Sequence, residues 1–217
     1  MSLTLNQAIT AVRNVLNEDV AVFWSDAEIT SWIQEACRDF SSKSLMVETS
    51  ISIPLQASKL YYYSADVADI ASIIEIYAIL YKNGSDYKAI IKSHPRIIGN
   101  EATNTAGAAK FYAWHNKRIY VWPLTSATVV AAGATLEVLA SKLTDDITVI
   151  QDEYQHIPLL YARAVAKYKD RLSAEGDSWM NLYNQYVGFE RQDKHAKELD
   201  TLDMFKVKSR GGERAAG

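Results

Sequence analysis

The chain has 217 residues, 48% of them hydrophobic and 23% charged, so folding can reduce its surface to about 10,000 Å² from about 35,000 Å² unfolded. That excludes wholesale disorder and fits one large domain or two small ones. With 23 Lys and Arg against 26 Asp and Glu the net charge is −3, which argues against a dedicated nucleic-acid binder held by phosphate neutralisation.

The order of patterns is helices, then strands, then helices. Leu5, Ile9, Val12 and Leu16 step at helical spacing and predict an amphipathic helix from about Leu5 to Asn17, capped by Thr4. Ser25 and Glu28 form a capping box, with Trp24 and Ile29 set for a hydrophobic staple. The second helix then presents Ile29, Trp32, Ile33, Ala36 and Phe40 on one face.

From Glu48 the period shortens. Ile51, Ile53 and Leu55 alternate with polar residues, and Leu60 to Tyr63 and Ser72 to Lys82 are β-rich. Asn83-Gly84 leads into a returning strand, and Asn116-Lys117 joins strands at Lys110 to His115 and Arg118 to Trp122. Thr135 to Ala140 adds another strand, His94 to Ile98 reads as one helical turn, and Asn100 to Ala109 as a loop. Strands at this spacing predict a small sandwich or an open barrel.

A third helix is expected from near Asp152, with Pro158 in its first turn and a stripe of Ile157, Leu160, Tyr161, Ala164, Tyr168 and Leu172. Gly176 reads as its stop and Asp177 as the next cap, with Trp179, Leu182, Tyr183 and Tyr186 carrying a fourth helix. Beyond Gly188 the pattern is polar, with Glu190–Lys194 and Asp193–Lys197 at i,i+4; this part should be solvated or meet a partner. No internal repeat is present. The predicted class is α+β: a four-helix body (residues 1–46 and 146–203) with a β insertion at 47–145 and an extended C-terminal arm at 204–217.

Chemistry is sparse. The histidines, His94, His115, His156 and His195, share no ligand spacing, and the single cysteine, Cys37, sits mid-helix as a small core residue. One thiol cannot form an internal disulfide and is too few for a structural zinc site. Asp145, Asp146, Asp152 and Glu153 lack the order of a calcium loop and suit a helix N-terminus. Neither a phosphate loop nor a nucleophile elbow occurs, so no enzyme, metal or cofactor is expected. No apolar run approaches the ~20 residues that span a bilayer. The opening MSLTLNQAIT lacks a signal's basic and apolar regions, predicting a protein made and kept in the cytosol or in something assembled there. The 13 Tyr and 5 Trp suit large interfaces, or simply Tyr-rich strands.

The tail from Met204 can be a frayed, charged terminus or a segment that orders on another chain. In the second reading Met204, Phe205 and Val207 anchor it while Lys206, Lys208, Arg210 and Arg214 supply charge.

Three stretches, Ala11 to Glu18, Phe23 to Ile29 and Trp32 to Ala36, resemble the first helices of head–tail adaptor (connector) proteins of tailed bacteriophages. Tyr161 to Tyr168 and the Tyr-rich helix after it are similar too. The resemblance implies a structural virion protein at the head–tail interface, assembled in the host cytoplasm. It also implies a dodecameric ring under the portal, with the arm reaching the portal, the other face meeting tail or nozzle protein, and DNA passing without specific binding. The closest rival is a tail-side completion or gatekeeper protein.

Overall fold

The computed structural model describes residues 2–18, 23–96 and 106–211, with side chains through residue 192 and at Lys194. They form two compact units, residues 1–47 with 144–217 and residues 48–143, in a mixed helix and sheet class.

In the helical unit, α1 (Leu5–Leu16) starts at a capping box: the Thr4 hydroxyl accepts the Gln7 N–H at 3.3 Å, and the Gln7 amide oxygen accepts the Thr4 N–H at 2.8 Å. Its buried face is Ala8, Val12 and Arg13, while Leu5 is exposed and Ile9 and Leu16 are half-buried. The stripe is thus turned from the expected one, towards the small Ala8, where close helix approach is possible. α2 (Asp26–Ser44) opens with the predicted box, Glu28 N–H to Ser25 Oγ at 3.2 Å and Ser25 N–H to the Glu28 carboxylate at 3.0 Å. These bonds from the Ser25 amide and hydroxyl hold the Glu28 carboxyl below its ordinary range. All five predicted core residues of α2 are buried, and Trp24 meets Trp32 edge-on at 5.4 Å.

After strands and a short helix α3 (Ala127–Ala131) in the other unit, α4 (His156–Lys169) runs with Pro158 in its first turn. It starts four residues later than expected because Ile147–Val149 and the turn after it form a separate 3-10 segment. Ile157, Leu160 and Ala164 are buried, whereas Tyr168 and Leu172 at the far end are exposed.

Gly176 does not stop this helix. Arg171 does, in the left-handed region at φ 63°, with Leu172 N–H on the Lys167 carbonyl at 2.9 Å and Arg171 N–H on that of Tyr168 at 3.1 Å. The long helix α5 (Ser173–Gly211) follows at once, so Gly176 lies in its first turn. A Cβ there would sit 2.6 Å from the Tyr168 ring. Gly176→Ala should therefore lower the melting temperature, although Ala in a helix is ordinarily worth about 1 kcal/mol over Gly. In a Tyr168→Ala background the same change should raise it, and thermal melts of the four chains check the sign reversal.

α5 buries Tyr183 and Val187, while Leu182 and Tyr186 are exposed. Beyond Gly188 the expectation of a solvated stretch fails at Lys194, which is buried and donates to the Leu45 carbonyl at the end of α2. A cation there complements the helix C-terminus. α5 continues to Gly211, so residues 204–211 are helical and not extended as expected from sequence, while residues 212–217 lie outside the described residues. Glycine content and the missing hydrophobic stripe misled that reading; strong helix formers such as Lys, Met and Arg carry the pattern through.

The β unit holds two four-stranded sheets. The first has the order β1–β10–β3–β4, from β1 (Glu48–Pro54), β3 (Ile73–Asn83), β4 (Asp86–Ala89) and β10 (Thr135–Lys142), all antiparallel. The second has the order β2–β8–β7–β5, from β2 (Tyr61–Tyr62), β5 (Ile91–Lys92), β7 (Phe111–His115) and β8 (Arg118–Trp122). Here β5 runs parallel to β7 and the other pairs are antiparallel. β6 (Ala106–Gly107) pairs with β9 (Leu124–Thr125); β6 falls within the stretch read as loop. Ile51, Ile53, Ile79, Leu136 and Val138 of the first sheet share one core with Tyr62, Tyr112, Ile119 and Val121 of the second. Both predicted hairpins form. Gly84 takes φ 60° at the first loop position, as a type II′ turn requires, and Asn116 and Lys117 take φ 49° and 56°, as type I′ requires. Of the predicted turn at His94 to Ile98, Pro95 and Arg96 are helical and the remainder lies outside the described residues.

Candidate assembly interface

The junction of α1 and α2 is built around a buried cation. Arg13 and Glu18 side chains are only 7% and 8% exposed and pair at 2.9 Å. The other Arg13 nitrogen donates to Asp26 at 2.6 Å and to the Trp24 carbonyl at 2.8 Å. Glu18 Oε1 in turn accepts the Phe23 N–H at 2.5 Å. This clamp fixes the chain where it enters α2 and leaves Phe23 84% exposed. Sequence reading passed over Arg13 because it stands at a core position of α1 and reads as an interruption of the stripe.

A polar and aromatic seam joins α2, α4 and α5. Tyr161 donates to Glu35 at 3.0 Å, Tyr183 to Asp39 at 2.6 Å, and Lys43 pairs with Asp39 at 2.8 Å. The two tyrosine rings meet edge-on at 5.3 Å. Burial, followed by the nearby carboxylates, pushes the Tyr161 hydroxyl up to about 12 and the Tyr183 hydroxyl further in the same direction.

Cys37 is buried, and desolvation pushes its thiol up to about 12, far from a reactive thiolate. His94 Nδ1 accepts the Arg96 N–H at 3.2 Å, His156 meets the Tyr186 ring at 5.5 Å, and His115 faces Arg118 across a hairpin. His195 lies in α5, its side chain outside the described set. Asp145 pairs with Arg38 at 2.6 Å, and Asp146 caps the 3-10 turn by accepting the Thr148 N–H at 2.9 Å. Among the described residues no three metal-ligating side chains cluster, and no described helix is long and apolar enough to cross a membrane.

What the surface offers is contact area. Phe189 is 65% exposed on α5 and Ile91 is 63% exposed on β5. On the second sheet Tyr61 packs on Tyr120 at 5.6 Å and on Tyr63 at 6.0 Å, with the Arg118 guanidinium 4.8 Å over the Tyr61 ring. Exposed tyrosine, phenylalanine and arginine are the residue types that anchor protein interfaces. Of the predicted arm residues, Met204, Phe205, Lys206, Val207, Lys208 and Arg210 fall on the last turns of α5, and Arg214 lies outside the described residues.

Comparison with curated proteins returns no match. The sequence profile of the SU10 adaptor protein family matches residues 3–201, spanning both units. A structural adaptor of a phage virion has a non-enzymatic role, in keeping with surfaces built for contact. The chain belongs to the SU10 adaptor protein family, as the resemblance to phage head–tail adaptors implied.

Proposed function

We propose that this adaptor forms a closed ring beneath the portal, joins it to the tail and continues the DNA channel, with the helical body bearing the β insertion of residues 47–145. The helical end of α5 is the portal-binding arm. The observation that carries this reading is the length of α5, 39 residues from Ser173 to Gly211, roughly 58 Å at 1.5 Å per residue. A helical arm presents Lys206 and Arg210 one turn apart along the backbone, where the extended arm would have splayed them. The net charge of −3 per copy, repeated around a ring, gives a wall that does not grip passing phosphates.

Ring closure needs two different, mutually complementary surfaces on each copy. The test is a pull-down with purified portal, comparing the full chain, a chain ending at Asp203, and the full-length variant Phe205→Glu/Lys208→Glu. The two altered chains should lose most portal binding. Equal retention of all three removes the arm, and binding to purified tail protein but not to portal favours a tail-side completion role.

A further inference from the structure

Charge is divided between the two units. Residues 48–143 hold nine Lys and Arg against seven Asp and Glu, a net +2, which leaves −5 for the helical unit. Within the β unit the segregation is sharper: from Tyr87 to Leu136 there are six Lys and Arg and one acid, Glu101.

The fold brings three of these cations, Lys92, Arg96 and Arg118, towards one end of the second sheet. β5 lies beside β7 in register Lys92 to Tyr112, and the Ser93 N–H bonds the Tyr112 carbonyl at 2.7 Å. This brings Lys92, His94 and Arg96 around an open recess with Trp114 and His115. Arg118 stands opposite His115 on the neighbouring strand. Lys92, His94, Arg96, His115 and Arg118 are all exposed, and none forms an ion pair among the described residues. With Lys92 and Arg96 on its rim and no carboxylate among its described lining residues, the recess suits anionic groups.

The complementary surface is on the same chain. From Leu143 to Ala162 the sequence has four acids and no Lys or Arg, and Asp145, Asp146, Asp152 and Glu153 are all exposed. We infer that the basic recess of the β unit receives the Asp145–Glu153 segment of a second copy, making the heterologous contact that repeats from copy to copy. A duplex-DNA occupant is disfavoured because only two Lys or Arg side chains, Lys92 and Arg96, line the recess, few beside the roughly six to ten phosphate contacts of a DNA-binding protein. The inference rests on the ring reading but concerns which surfaces meet, and charge pairs of this kind set register and partner choice.

The experiment mixes ¹⁴N- and ¹⁵N-labelled full-length chains at low salt and joins contacting amines and carboxylates with a zero-length carbodiimide cross-linker. Mass spectrometry then identifies the linked peptides. Mixed-isotope links from Lys92 to the Asp145–Glu153 peptide are expected, reduced at least tenfold at 0.5 M salt. Reversing either surface alone (Lys92→Glu/Arg96→Glu, or Asp152→Lys/Glu153→Lys) should abolish self-association measured by sedimentation, and both reversals in one chain should restore it. Same-isotope links alone overturn the inference, as does unchanged association of the single-surface variants. Loss of wild-type binding to duplex DNA in Lys92→Glu/Arg96→Glu, without any mixed-isotope link, would assign the recess to phosphate and overturn it too. Wild-type association through other peptides would leave the ring reading standing while removing this contact.

Discussion

Replacing Arg13 by Met should cost about 3–5 kcal/mol, the range found when one member of a buried ion pair is removed. The guanidinium is all but buried and has three separate acceptors, in Glu18, Asp26 and the Trp24 carbonyl. Met fills much of its volume, so little of the loss is packing; the penalty comes from leaving the Glu18 carboxylate out of water without its cation. Asp26→Asn should cost under about 1 kcal/mol, because Asp26 is 70% exposed and a solvated pair is worth little. The combination Arg13→Met/Glu18→Gln should recover a large part of the loss. Gln carries no charge yet keeps an acceptor for the Phe23 and Trp24 amides that Glu18 serves. Urea unfolding of the four chains measures this, and equal losses for Arg13→Met and Asp26→Asn would show that the pair's burial is not what matters.

The residues that were legible in the sequence are those whose effect is local. Ser25 and Glu28 need only each other across one turn, and Asn116-Lys117 needs only two residues of positive φ, so their patterns read directly. The alternation of Ile51 and Ile53 likewise reports a strand with one buried face. Features set by distant contacts did not read. Arg13 is buried because Glu18 and Asp26 surround it, and Lys194 because the end of α2 lies against it. Gly176 is a packing glycine because the Tyr168 ring occupies the place of its side chain, yet in sequence it is indistinguishable from a helix stop. The aromatic residues were visible, but the basic recess was not. Its lining comes from β5, the turn after it and the end of β7, and only the parallel pairing of β5 with β7 brings these segments together.

Tyr183→Phe should destabilise the helical unit by about 1.5–3 kcal/mol at pH 7, the range for a hydrogen bond to a charged group. The ring is fully buried and its hydroxyl donates to Asp39 at 2.6 Å. Phe keeps the ring and its edge-on contact with Tyr161, so the loss isolates the hydroxyl. Asp39 retains Lys43 at 2.8 Å, which keeps the penalty below that of an orphaned carboxylate. Burial of the hydroxyl, and then its bond to Asp39, predict a pH dependence. Tyr183 and Tyr161 both titrate above the ordinary tyrosine value when folded, so the folded state holds protons that the unfolded state gives up above about pH 10. Their contribution is complete below that pH and is lost as pH rises from there through the folded values. Wild-type stability should therefore fall between about pH 10 and 12, and Tyr183→Phe should fall with a slope smaller by up to one proton over the same window. Denaturant midpoints taken across pH 8–12 decide it: parallel curves for the two chains would mean that the buried hydroxyl is not the group being titrated.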